Sequence, residues 1–315
     1  MEQRLLGNTG ISVSRLCFGT LTISRLQRSF SLNIGGRLLA SALERGINFV
    51  DSAKLYGTYK HIGKAMKLTG NNAIVIAGKS YASEKNAMTE DIHAALREIG
   101  REYIDIFLLH EQESIYTLRG HGAAIEALVA AKRAGKIRAL GISTHFVAAV
   151  KSAALLPEID VIHPLINQFG IGIRDGTAKD MLQAISFAAE CGKGIYAMKA
   201  LAGGHLVKTA QQSMQWALAQ NDFASIAVGM QSLKEIEANC RLFSGMPATE
   251  YFAQAKQENR RLRIHNWCRG CGACVERCRS NALKIVDGKA TVDEQSCLLC
   301  GYCAEVCEDF CIKVY

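Results

Sequence analysis

Several absences narrow the reading of this 315-residue chain. It has no run of about 18 apolar residues, the length that spanning a bilayer as a helix requires. Its first residues, Met1-Glu-Gln-Arg-Leu-Leu-Gly7, hold no apolar segment of signal-peptide length, so a cytoplasmic protein is expected. No stripe of basic residues interleaved with aromatics suggests a nucleic-acid partner. No G-x-G-x-x-G follows the first strand-like segment, which argues against an open dinucleotide-binding sheet. No flavin motif is found either.

What is present begins with alternation. Gln3 to Ser14 reads as a hairpin around Gly7–Gly10. Strand-like runs then follow near Val13–Phe18, Ile47–Asp51, Ala73–Gly78, Ile104–Leu109, Arg138–Ile142, Asp160–Ile166, Gly194–Met198 and Ser225–Gly229. Amphipathic stretches separate them, such as Glu84 to Ile99, where Ile92, Ala95, Leu96 and Ile99 share one face. Eight of each, alternating, predict an α/β fold of the (β/α)8 TIM-barrel type. The apolar fraction of 49% supports a large core.

Three successive strands end in titratable groups. Gly46-Ile-Asn-Phe-Val-Asp51 delivers Asp51, with Tyr56 just beyond, while Lys79 and His110 end the next two runs. Carboxyl ends of parallel strands are where such folds place their chemistry. A carboxylate, a phenol and an ammonium at one rim can share acid–base work. The loop from His110 to Gly122 is only about a dozen residues, so the rim is expected to be open unless the C-terminal part covers it.

The tail differs in composition. Nine of the twelve cysteines lie in the last 48 residues. Residues 267–315 hold six Lys/Arg and seven Asp/Glu, which leaves about +9 of the net +8 charge on the preceding chain, a balance that suits a ligand with phosphates. C-x2-C-x2-C-x3-C occurs twice, from Cys268 and from Cys297, as an internal repeat around an Asp287-Gly288 hairpin signal. Three thiols in one loop suit a cage of irons, whereas tetrathiolate zinc sites need only paired C-x2-C. The proline usual after each fourth cysteine is replaced by Arg279 and Glu308. Cys311 aligns with Ala282 and reads as a small packed residue, and Cys17, Cys191 and Cys240 as ordinary apolar cysteines.

With G-I-N-F-V-D-S-A-K-L-Y-G at 46–57 and the ordered Asp, Tyr, Lys, His set, the chain from about Leu5 to Phe243 resembles the aldo-keto reductase family. The tail resembles a two-cluster bacterial ferredoxin, and the whole resembles the iron–sulfur aldo-keto reductases. The resemblance implies a barrel domain over 1–248 and a ferredoxin-type domain over 267–315, and the polar, helix-prone stretch between them reads as a linker helix over 249–266. It implies a carbonyl oxidoreductase using NADPH or NADH, with Asp51, Tyr56, Lys79 and His110 catalytic. Tyr56 would be the general acid, its pKa lowered from about 10 by Lys79, which Asp51 holds charged. His110 would orient the carbonyl oxygen.

For the dinucleotide, the resemblance implies Gly19 and Thr20 at the nicotinamide ribose and Ser143 at the carboxamide. Lys199, Leu201 and Gly203 would line the pyrophosphate, and Gly229, Gln231 and Asn239 the adenosine end. Departures stand at His163, where the family has Gln, at Met198, where it has a stacking Tyr, at Thr144, where it has Asn, and at Glu235, where it has a basic residue. For the tail it implies two 4Fe–4S clusters, one on Cys268, Cys271, Cys274 and Cys307, the other on Cys297, Cys300, Cys303 and Cys278. The implied partners are a small carbonyl substrate and a redox protein. Two other readings stay open: an electron-transfer adaptor whose barrel binds a ligand or partner, and a flavin-mediated oxidoreductase.

Overall fold

The structure is a computed structural model that describes residues 1–254 and 261–314. Eight parallel strands close into a barrel. They are β1 (Leu16–Gly19), β2 (Phe49–Asp51), β3 (Val75–Ser80), β4 (Ile104–Gln112), β5 (Ile137–Thr144), β6 (Val161–Pro164), β7 (Gly194–Met198) and β8 (Ser225–Gly229), with β8 pairing β1. β3 is buried at every position, as expected of a parallel strand covered on both faces.

Outward residues of the strands meet the helices in one large apolar shell. Inward residues form a separate core of Cys17, Phe49, Ala77, Leu108, Val161 and Tyr196 among others. The expected hairpin is present, Gln3–Leu5 pairing antiparallel with Ser12–Ser14. Its Leu6, Ile11 and Val13 belong to that inner core and plug the barrel's amino-terminal end.

Two residues further along six of the strands another inward residue follows, and in four of them it is polar. Cys17 gives way to Gly19, Phe49 to Asp51, Ala77 to Lys79, Leu108 to His110, Val161 to His163 and Tyr196 to Met198. Because side chains alternate with period two, these upper residues point into the same lumen at its carboxyl end. The barrel thus has an apolar floor and a polar mouth.

The tail forms a small module. Leu262–Ile264 pairs with Ile312–Val314, and Leu283–Val286 pairs with Lys289–Val292. Asp287 and Gly288 both have positive φ, the conformation a two-residue hairpin turn demands. The two cysteine loops are alike: Gly272 and Gly301 each sit in the left-handed region before a short helix, Ala273–Arg277 and Tyr302–Glu305.

The 249–266 stretch is not one helix. A helix covers Thr249–Gln254, residues 255–260 lie outside those described, and Leu262–Ile264 is a strand. Leu262 is buried in the module's core and the strand completes a two-stranded sheet, which outweighs its helix-prone composition. The loop after His110 also carries a helix, Ile115–Gly120, capped by Ser114.

Candidate active site

The site is organised by Asp51. Its carboxylate lies 2.7 Å from the Lys79 ammonium and accepts a hydrogen bond of 2.9 Å from the Tyr196 hydroxyl. Lys79 also donates to the Ser52 carbonyl at 2.7 Å. Lys79 is 1% exposed and Asp51 5%, so the pair is a buried one whose charges compensate each other. Lys79 Nζ is 5.3 Å from the centre of the Tyr56 ring, and His110 lies edge-on to that ring at 5.9 Å. Asp51, Tyr56, Lys79 and His110 are therefore brought together as expected.

One expectation is corrected. Burial, followed by the Asp51 charge, pushes the Tyr56 phenol well above its usual range rather than lowering it. Lys79 spends its hydrogen bonds on Asp51 and Ser52 rather than on the phenol, so its charge does not outweigh the desolvation of the phenolate. Tyr56 is thus a phenol that stays protonated. His110 is held well below the usual histidine range, first by burial and then by the Lys79 charge, and is neutral at pH 7. His163 is pushed down to about 4, chiefly by burial; it stacks on Tyr196 and shares a 2.6 Å hydrogen bond with the Tyr196 carbonyl.

His110 is presented by a bulge. The register between β4 and β5 shifts between Leu109 and Gln112, and Glu111 takes φ +52°. The Glu111 N–H donates to the Ser143 hydroxyl at 2.9 Å. The Ser143 hydroxyl oxygen accepts this bond, which leaves its O–H to donate. The Thr20 hydroxyl shares a 2.8 Å hydrogen bond with that of Thr58.

A cleft of about 430 Å³ runs from Asp51 and Tyr56 across the mouth, lined by Gly19, His163, Met198, Lys199, Leu201, Gly203, Gly229, Gln231 and Asn239. Nine of the eleven residues expected at a dinucleotide thus share one wall. The loop beneath it turns left-handed at Lys199, Ala202, Gly203 and Gly204, the kind of backbone concavity that cradles phosphates. The Asn239 Oδ1 atom is buried in this wall without a partner, an acceptor suited to a ligand's N–H or O–H. The residues present fit a dinucleotide.

The module closes over the mouth. Leu298 and Cys300 line the same cleft. Tyr302, 5% exposed, sets its hydroxyl 3.4 Å from Tyr56 Oη and 3.4 Å from His110 Nε2. The Arg277 guanidinium lies over the Tyr302 ring at 4.9 Å and the Tyr81 ring at 5.2 Å, and Tyr81 stacks on His110 at 4.3 Å. Glu305 pairs with Arg25 at 2.8 Å and Arg279 with Glu113 at 3.0 Å across the same junction.

Within the module Cys274 is raised first by burial, with Cys268, Cys271 and Cys307 among the neighbouring thiols that act on it. Cys303 is likewise raised first by burial, and Cys300, Cys297, Cys278 and Cys274 all act on it. Thiols gathered in a largely apolar core are the donor type that a 4Fe–4S cube takes. Cys311 is buried as expected, yet its Sγ lies 3.3 Å from that of Cys307. Cys191 is exposed rather than packed, because it caps the Ala178–Glu190 helix; Cys17 and Cys240 are buried.

The profile of the aldo/keto reductase family matches residues 15–213. The chain belongs to this family. A 4Fe-4S dicluster domain matches residues 267–309, so this aldo-keto reductase carries an iron–sulfur domain at its C-terminal end. It is 24% identical over 289 residues to L-galactose dehydrogenase of Arabidopsis thaliana, covering 76% of this chain and 87% of that one. It is 25% identical over 184 residues to the aldo-keto reductase YhdN of Bacillus subtilis, covering 54% of this chain and only 55% of that one. An aldo-keto reductase of Bacillus halodurans in its holo form superposes with a TM-score of 0.66 at 22% identity, over 81% of this chain and 96% of that one. The aldo-keto reductase is an oxidoreductase, and none of its described helices is long and apolar enough to cross a membrane.

Sequence reasoning missed Tyr196, Tyr302, Arg277 and Tyr81. Tyr196 had a signal, a polar-tipped aromatic at an inward position of β7. Tyr302 had a weaker one, an aromatic inside a cysteine loop.

Proposed function

We propose that the barrel reduces aldehydes or ketones with NADPH or NADH, Tyr56 acting as the general acid. The observation that carries this is the buried meeting of Tyr56, Lys79 and His110 around Asp51, with Asp51 and Tyr56 lining a cleft of about 430 Å³. When bound, the nicotinamide supplies a hydride to the carbonyl carbon. Everything else falls to the chain. Tyr56 Oη gives its proton to the developing alkoxide, and neutral His110 donates or orients a hydrogen bond at the same oxygen. Lys79, fixed by Asp51, contributes a nearby positive charge that eases the departure of the phenol's proton. Relatives named as an L-galactose dehydrogenase and a methylglyoxal reductase support chemistry at this level.

The cysteine sets hold two 4Fe–4S clusters, Cys268, Cys271, Cys274 and Cys307 one, Cys278, Cys297, Cys300 and Cys303 the other. With Cys300 in the wall of the cleft, the module is placed to exchange single electrons between an outside protein and this mouth. Met198 and His163 at the floor of the cleft favour one rival, an electron-transfer adaptor whose barrel binds a ligand without reducing it.

Anaerobic assay of the cluster-loaded protein separates the two. The reductase is expected to carry about eight irons per chain and to consume dinucleotide in step with alcohol formed. Full iron content with no dinucleotide binding would favour the adaptor.

A further inference from the structure

We propose that Tyr302, carried by the iron–sulfur module, determines which carbonyl compounds react at the barrel, because its phenol stands in the place between Tyr56 and His110 that a carbonyl oxygen must take. The proposal rests on the reductase reading above.

Tyr302 Oη is 3.4 Å from both groups that would hold that oxygen. The cleft's wall includes Tyr56 and, from the module, Cys300, and the Tyr302 ring beside them is buried. The position is braced from several sides. Gly301 has φ +78°, and a Cβ on it would stand 2.2 Å from the Leu26 carbonyl oxygen, so only glycine lets this loop press so close to the barrel. The Leu299 carbonyl accepts from Gln27 Nε2 at 2.9 Å, and the Cys297 carbonyl meets His205 Nε2 at 2.6 Å. Arg277 covers the ring at 4.9 Å. An aldo-keto reductase barrel has no need of such a loop to complete its tetrad, since Asp51, Tyr56, Lys79 and His110 all come from the barrel itself.

A substrate therefore reaches Tyr56 and His110 by displacing a hydroxyl that already bridges them. A small carbonyl needs only the volume of that hydroxyl. An aryl carbonyl needs the volume of the ring as well. Removing the oxygen and removing the ring are thus expected to have different consequences.

The test uses the cluster-loaded full chain, wild type against Tyr302→Phe and Tyr302→Ala, with cluster absorbance as the check on folding and Tyr302→Leu replacing Ala if clusters are lost. Calorimetry with benzoate, whose carboxylate can occupy the oxygen's place, reads the site without turnover. Benzoate is expected to bind the Ala (or Leu) variant about tenfold tighter than wild type, the scale on which pocket volume discriminates. In parallel, KM for benzaldehyde falls with kcat within about twofold, while Phe lowers KM only for propanal. Unchanged benzoate affinity in Ala or Leu would overturn the proposal. So would a large loss of kcat in Phe, which would make Tyr302 a proton donor rather than an occupant. If no form reduces an aldehyde, the reductase reading fails, and the benzoate series still decides whether Tyr302 blocks the site.

Discussion

Replacing Tyr56 by Phe is expected to lower aldehyde reduction by roughly 10²–10⁴-fold in kcat, the usual contribution of a positioned general acid. The clusters and the fold should be untouched, because only one hydroxyl is removed. Among the described residues the hydrogen bond of Tyr56 Oη is a long one, 3.4 Å to Tyr302, so little native stability is lost with it. The pH profile offers a further check. A phenol raised by burial keeps its proton through the neutral and mildly alkaline range. His163 at about 4 and His110 well below its ordinary value are already neutral there. Wild-type kcat is therefore expected to stay flat from about pH 7 to 9, with no alkaline fall from loss of the Tyr56 proton. A rate that declined through pH 8 would mean that the acid is another group, or that the phenol is ionised in the working complex.

The second large effect concerns the ion pair beneath it. Lys79→Met should destabilise the barrel by about 3–5 kcal/mol, since it leaves the Asp51 carboxylate buried without its counter-charge. Tyr196 would still donate to that carboxylate, but one neutral hydrogen bond does not offset a buried charge. Activity should fall as well, because the positive charge beside the phenol is gone. The double variant Lys79→Met with Asp51→Leu is expected to recover most of the stability and none of the activity, since replacing both charges by apolar groups removes the uncompensated one. Urea denaturation of the three forms, with cluster absorbance followed separately, measures this. Equal stability of the single variant and wild type would show that water reaches Asp51 and that the site is not dry.

The barrel was legible because its strands are buried on both faces and so stand out as short apolar runs. The polar ends of three of them gave Asp51, Lys79 and His110 directly, since each lies two residues above an inward apolar side chain. The cluster cysteines were legible from spacing alone. What the sequence concealed depends on long-range placement. Tyr302 meets His110 across 192 residues of chain, and no local period encodes where a module docks. Thr20 and Ser143 lie at the expected strand ends, but their contacts to Thr58 and to the bulge at Glu111 come from distant parts of the chain that no local pattern reveals. The raised Tyr56 likewise reflects burial, which depends on how the module packs and is not encoded near the residue. The strand at Leu262–Ile264 was hidden by polar, helix-prone neighbours, its partner lying some fifty residues ahead in the chain.

In the proposed reaction the reducing electrons enter as a hydride from the dinucleotide. Reduction of an aldehyde with NADPH or NADH deuterated at the transferable C4 position, with the clusters intact and oxygen excluded, measures that directly. One deuterium on the carbinol carbon of every product molecule is the predicted result, with Tyr56 supplying the proton on oxygen. Alcohol formed without label, from electrons delivered through the iron–sulfur domain, would contradict it.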